Sequence, residues 1–117
     1  MKTIGIIGGM SWESSVVYYR LINEGIKKSL GGVHSAKSVM VSVDFAEIEV
    51  LQKSGDWKTA TEMMITAAKQ VEAGGADFLV IATNTMHLMA EDVQRSIKIP
   101  ILHIADPTAE AVKKAAP

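Results

Sequence analysis

An α/β domain built on a parallel sheet is the fold that this sequence predicts, on three observations. Short apolar or β-branched runs alternate with segments of helical periodicity, in the order β-α-β-α-β-α-β-α, with one short extra helix after the second strand. Apolar runs break on their carboxyl side into glycine or small polar residues, as at Gly8-Gly9 and Thr83-Asn84-Thr85. A helical pattern resumes after each break, which is how a buried parallel strand feeds a crossover helix.

The elements follow in order. Thr3-Ile4-Gly5-Ile6-Ile7 reads as a short buried strand, ended by Gly8-Gly9, where positive φ or close backbone approach is permitted. Ser11 is placed to cap the next helix, with Glu13 in its first turn, where the dipole favours an anion. Val17, Leu21 and Ile26, joined by Tyr18 and Ile22, form its expected apolar stripe, and Gly31-Gly32 ends it near Leu30. The β-branched stretch Ser38-Val39-Met40-Val41-Ser42-Val43 reads as the second strand, with Asp44-Phe45 at its carboxyl end. A short helix over 46–53 is expected next. Asp56 can then cap a helix from Trp57, whose repeat Trp57, Ala60, Met64, Ala67, Val71 runs down to Gly74-Gly75.

Residues 77–81 read as the third strand, followed by a helix carrying Met86, Met89 and Val93. Pro100 introduces a fourth strand, Ile101-Leu102-His103-Ile104. Asp106-Pro107 pairs a cap with a proline at the first helical position of a helix over 108–116. Together these elements predict a single domain over residues 1–117: a three-layer, flavodoxin-like arrangement with a four-stranded parallel sheet.

Composition narrows the function classes. Hydrophobic residues make up 48% and charged residues 21% of the 117, an ordinary globular balance that can bury one core without staples. Twelve basic and 13 acidic residues give a net charge of −1 without a polybasic face, so nucleic acid is an unexpected partner. No apolar run approaches ~18 residues, so no membrane span is expected. Met1-Lys2-Thr3-Ile4 enters a strand at once and shows no signal-peptide h-region and cleavage site, so a cytoplasmic location is the default expectation. The chain contains no cysteine, which removes disulfides, thiolate metal sites and thiol chemistry from this polypeptide, and three scattered histidines do not argue for a metal site.

In open parallel sheets ligands sit beyond the carboxyl ends of the strands. Three segments converge there: 8–12, Asp44-Phe45 and 82–87, with Asp106 a fourth. The candidate contacts for a small carboxylate are Gly9, Met10, Ser11, Trp12, Asp44, Phe45, Thr83, Asn84, Thr85 and His87. Thr83-Asn84-Thr85 offers two hydroxyls and an amide to a carboxylate, and any of the three can equally cap the next helix. Gly8-Gly9-Met10-Ser11 is either an anion cradle of backbone N–H groups or simply a tight strand-to-helix turn. Its glycine spacing does not match a dinucleotide or P-loop fingerprint. Trp12 either walls a pocket or is the first core residue of its helix. Asp44 either orients a base or is a loop carboxylate bonded to Ser42 or a backbone N–H. His87 reaches the ligand or is structural. Ala82 stands at the turn where a nucleophile or base would be expected, and its methyl group has no such chemistry.

The residues 1–15, MKTIGIIGGMSWESS, then Tyr18-Tyr19-Arg20-Leu21-Ile22-Asn23-Glu24, resemble the aspartate/glutamate racemase family. Ser42-Val43-Asp44-Phe45, Thr83-Asn84-Thr85-Met86-His87 and His103-Ile104-Ala105-Asp106 resemble it too, in the right order along almost the whole chain. The resemblance implies two similar α/β lobes with a cleft between them, and catalysis without pyridoxal phosphate or metal. One cysteine from each lobe would flank the substrate Cα, one thiolate removing the α-proton and the other thiol returning a proton on the opposite face. The family's first cysteine falls on Ala82, and a second lobe of similar size would carry the other.

The chain is therefore expected to be the N-terminal lobe of a cofactor-independent amino-acid racemase, without turnover as it stands. Its expected ligand is a small amino acid or dicarboxylate. The alternative is a non-catalytic carboxylate-binding or assembly module, and a flavodoxin-like nucleotide binder is a third reading that the glycine spacing opposes. An exposed cleft wall also leads to an expectation of homo-oligomers.

Overall fold

The computed structural model describes residues 1–9, 11–81, 87–102 and 107–116, and of residues 87, 88 and 107 the backbone only. Its elements are β1 (Ile4–Gly8), α1 (Trp12–Leu30), β2 (Ser38–Ser42), α2 (Phe45–Ser54), α3 (Trp57–Ala73), β3 (Phe78–Ile81), α4 (His87–Ser96) and α5 (Pro107–Ala115). The strands form a parallel sheet in the order β2-β1-β3, with Ile4 in register with Ser38 on one side and Phe78 on the other.

The pleat sends alternate side chains to opposite faces, and helices cover both. Ile4, Ile6, Phe78 and Val80 face α1 and α5, where Ile22, Ile26, Ala111 and Ala115 close over them. Gly25 lets these two helices meet, since a Cβ there would lie 2.6 Å from a methyl of Val112. On the other face Ile7 and Leu79 are buried with Ile48 of α2, Met64, Ala68 and Val71 of α3, and Met89 and Val93 of α4. Among the described residues no helix is long and apolar enough to cross a membrane.

The expected fourth strand is not formed among the described residues: the sheet has three strands. Ile101 makes only an isolated parallel bridge to Leu79, with Leu79 N–H donating to Pro100 O (2.9 Å) and Leu102 N–H to Leu79 O (3.0 Å). Pro100 has no N–H to extend the ladder backwards. The N–H of Ile101 is taken by the Gln94 side-chain oxygen at 2.9 Å, while the Gln94 amide donates to Ile99 O at 2.9 Å. The continuation at His103 and Ile104, and the cap at Asp106, lie outside the described residues.

A second correction concerns α1. Its buried residues are Ser15, Ile22 and Ile26, whereas Val17 and Leu21 of the expected stripe are 43% and 38% exposed. Ile22, Ile26 and Tyr18 of the same stripe do face the core, so the expected face is off only at Val17 and Leu21, because the helix carries more apolar residues than one face can bury.

The expected cap forms at Asp56, and Asp44, read as a loop carboxylate bonded to a backbone N–H, proves to be a cap too. Asp44 accepts from Ala46 N–H (3.1 Å) at the start of α2, and Asp56 from Thr59 N–H (3.1 Å) at the start of α3. Hydrogen bonds from Thr59, side chain first and backbone second, hold the Asp56 carboxyl below its ordinary value of 3.8. A depressed carboxyl contributes stability above its unfolded value and loses it as the pH falls through the lower folded value. Asp56→Asn keeps a capping oxygen and removes the charge. Its melting temperature should therefore fall below wild type at neutral pH, and the gap should close in acid below 3.8. A gap unchanged across that range would mean that the charge contributes nothing.

Candidate functional site

The carboxyl ends of β1 and β2 are locked together by the turn after β1. Gly8 is in register with Ser42, and Val43 N–H donates to Gly8 O at 2.9 Å. Gly9 follows at φ +96°, a region that side chains rarely adopt. A Cβ on Gly9 would collide with the carbonyl oxygen of Val43 and lie 2.8 Å from Ser42 Oγ. The turns after the two strands are thus pressed backbone to backbone.

Ser15 fixes this bend from inside α1. It is 5% exposed, its Oγ accepts the Gly9 N–H at 3.0 Å, and its hydroxyl donates back to Ser11 O at 3.4 Å. Gly8 must also be glycine-sized, because a Cβ would lie 2.6 Å from that same Oγ. Sequence reasoning missed Ser15; the available signal was a hydroxyl residue one turn into a helix that opens on a glycine bend. The consequence for ligand binding is direct: the Gly9 N–H already has its acceptor, so an anion at this turn must use other donors.

Ser11 occupies the cap position of α1 without a side-chain cap bond, and its hydroxyl lies 3.1 Å from that of Ser14. Trp12 is 66% exposed, which excludes the reading of it as a core residue. It lines an open groove of about 420 Å³ with Ser15, Val16, Tyr19, Met40 and Ser42. Asp44 is exposed and spends one oxygen on capping α2, while Phe45 is half-buried against the core that contains Ile7.

β3 ends at Ile81, paired with Ile7, so β1 and β3 bring their carboxyl ends to the same level. The sequence places Ala82, Thr83, Asn84 and Thr85 immediately after it. They lie outside the described residues, as does Met10, and His87 is described only as the first residue of α4. The structure therefore brings together Gly9, Ser42 and Val43, with Asp44 and Phe45 following directly. Among the described residues no group of three or more His, Cys, Asp or Glu side chains could hold a metal ion.

Comparison with known proteins agrees with this architecture. Over 97% of its length the chain superposes on half of a crystal structure assigned as an Asp/Glu racemase from Yersinia pestis, with a TM-score of 0.87 and 52% identity. An aspartate racemase homologue from Pyrococcus horikoshii OT3 is matched over the same 97% of this chain and 50% of that one, at a TM-score of 0.81 and 35% identity. The broad specificity amino-acid racemase RacX of Bacillus subtilis (strain 168) is 22% identical over 93% of this chain and 48% of its own length. The chain thus spans about half the length of the relatives it matches. The model of the Asp/Glu/hydantoin racemase family matches residues 7–117, from the middle of β1 through every later element. On that match the chain belongs to the Asp/Glu/hydantoin racemase family.

Proposed function

We propose that this chain is the N-terminal lobe of a two-lobe, cofactor-independent amino-acid racemase of aspartate/glutamate type. The observation that carries the reading is the family match across residues 7–117 together with coverage of half of each relative. The strand order β2-β1-β3, with Ile101 bridging at the outer side of β3, is in keeping with a flavodoxin-like lobe. The ligand would be a small amino acid or dicarboxylate, held at the carboxyl ends of the strands. Ser11 and Trp12 would approach from α1, and Thr83, Asn84 and Thr85 from the segment after β3.

Inversion at Cα sets the chemical demand. The Cα–H of an amino acid is a very weak acid. One base must remove that proton while an acid on the opposite face delivers another, and the developing carbanion needs fixed donors. At position 82 this chain has a methyl group, which can do neither, and it contains no cysteine elsewhere. On this reading the present chain binds but does not turn over.

The test restores both groups: Ala82→Cys in a fusion with the carboxyl-terminal half of a full-length relative. The expected result is incorporation of deuterium from D2O at Cα of L-aspartate or L-glutamate, with no incorporation by the Ala82 fusion. No exchange into any amino acid by the restored fusion, folded by circular dichroism, would overturn the reading. The lack of thiols also suits a binding or assembly module. Calorimetry of the present chain with dicarboxylates separates the two forms of that alternative, because a pure assembly module gives no saturable heat.

A further inference from the structure

The sequence shows no polybasic face, yet the fold builds one at the amino-terminal edge of the sheet. The strands are parallel, so the helices that connect them return to that edge. α1 brings Lys27 and Lys28 there in its last turn, and α5 brings Lys113 and Lys114 in its own. Lys2 N–H donates to Ala115 O at 3.1 Å, and Ile4 N–H to Lys37 O at 2.9 Å, so Lys2 and Lys37 join the same edge. Lys28 and Lys113 line one open groove between α1 and α5. The acids go the other way. Glu13 and Glu47 lie in the first turns of α1 and α2, and Asp44 and Asp56 cap α2 and α3, at the carboxyl-terminal side of the sheet. Helix dipoles favour this sorting, with acids at first turns and bases at last turns.

Few of these lysines are neutralised. Among the described residues Lys2, Lys27, Lys28 and Lys37 are exposed and form no ion pair. Lys113 is paired with Glu110 at 3.5 Å, and Lys114 lies over the Phe78 ring. Two acids at this edge are engaged by the backbone, Asp77 by Thr3 N–H and Glu72 by Lys98 and Ile99 N–H. Between Lys27-Lys28 and Lys37 the chain projects an apolar tip. Gly31 and Gly32 turn at φ +72° and +59°, and a Cβ on either would meet nothing within 4 Å, so this loop stands clear of the body. Val33 is 102% exposed and Leu30 42%. Met1, whose sulfur accepts Lys37 N–H at 3.4 Å, adds a third exposed apolar side chain.

We propose that this edge docks on an anionic lipid bilayer, with Val33 and Leu30 entering the headgroup layer and Lys2, Lys27, Lys28 and Lys37 facing its acidic headgroups. Neither part suffices alone. A small apolar wedge holds a protein at a bilayer only when a basic cluster adds its attraction for anionic lipid. The net charge of −1 does not oppose this orientation. Along the 19 residues of α1 the two ends lie about 28 Å apart. Charges are screened beyond roughly 10 Å at about 0.1 M salt, so the acidic end is not felt at the docking edge. Nucleic acid suits the edge less well. Arg20 is paired with Glu24, and Arg95 with Glu91 and Asp92, so no free guanidinium is offered to bases. Residues 27–37 contain no tryptophan, tyrosine or phenylalanine on which a base could stack. The inference stands on this surface alone and is independent of the racemase reading.

Co-sedimentation at low salt with phosphatidylcholine vesicles containing about one third phosphatidylserine tests it. The chain should pellet with these vesicles, stay in solution with pure phosphatidylcholine, and be released by about 0.5 M salt. Lys27→Gln/Lys28→Gln should lower the partition coefficient about tenfold, and Lys2→Gln/Lys37→Gln likewise, since each loses two charges from the edge. Lys53→Gln/Lys58→Gln removes the same charge from the opposite end and should bind like wild type. Val33→Ser should weaken binding several-fold. All these positions are exposed, so the circular dichroism spectrum should not change. No partition onto the acidic vesicles, or equal losses from lysines at both ends, overturns the proposal. A Val33→Ser variant that binds like wild type, or a DNA duplex that strips the chain from the vesicles, overturns it too, because the lysines would then be acting alone on any polyanion.

Discussion

Gly9→Ala should destabilise the protein by about 3 kcal/mol, lowering its melting temperature by roughly 10 °C. Two costs contribute. The φ of +96° penalises any L side chain, on the order of 1 kcal/mol. The larger cost is steric: the new methyl collides with the Val43 carbonyl, and Val43 is itself tied to Gly8 through its N–H. Relief requires the ends of β1 and β2 to separate, which breaks that bond and disturbs the Ser15 anchor on Gly9 N–H. Gly9→Asn separates the two costs. Asparagine tolerates positive φ better than alanine, so a φ-dominated cost would make it clearly milder. Because the collision dominates, both variants should melt at similar temperatures. Gly9→Ala melting within a degree or two of wild type in a thermal scan would refute the argument.

That bend also shows where sequence reasoning reaches and where it stops. Buried parallel strands are apolar throughout, so residues 4–7 and 78–81 are legible as strands without knowledge of their neighbours. Asp56 announces a helix start because capping is a contact within three residues. The isolated bridge at Ile101, where a fourth strand is expected, is harder to read. Gln94, from α4, satisfies the backbone around Ile99 and Ile101, and nothing in the motif Ile99-Pro100-Ile101 reveals that partner.

α1 is legible only in part, for another reason. Trp12-Val16-Tyr19 and Ile22-Ile26 each have helical spacing, and the period says only that stripes exist, not which of them meets the sheet. Ser15 is the hardest residue to read. A serine on a helix suggests surface, yet here its hydroxyl is buried because the Gly9 N–H needs an acceptor. At the site, the positions of the Gly8-Gly9 bend and of Asp44 at neighbouring strand ends were legible. The roles proposed for residues 82–85 rest on the sequence and its resemblance alone.

Phe78→Ala should cost about 3–5 kcal/mol, a large share of the roughly 5–15 kcal/mol that stabilises a domain. Phe78 opens β3, is fully buried, and packs between Ile4 of β1 and the α1–α5 pair, with Ile22, Ile26, Ala111 and Ala115 in the same cluster. Lys114 Nζ also lies 5.2 Å from its ring centroid, so a cation–π contribution competes as the explanation. The magnitudes decide between them. A contact of that kind at a partly exposed lysine is worth about 0.5–1 kcal/mol, whereas removing a buried ring loses its transfer energy and leaves a cavity. Lys114→Met, which keeps an apolar stem over the ring, should therefore shift urea unfolding by no more than about 1 kcal/mol. Phe78→Leu, which keeps most of the apolar volume and loses the π face, should fall between the two. If Lys114→Met matched Phe78→Ala, the charge and not the buried ring would be what holds α5 onto the sheet.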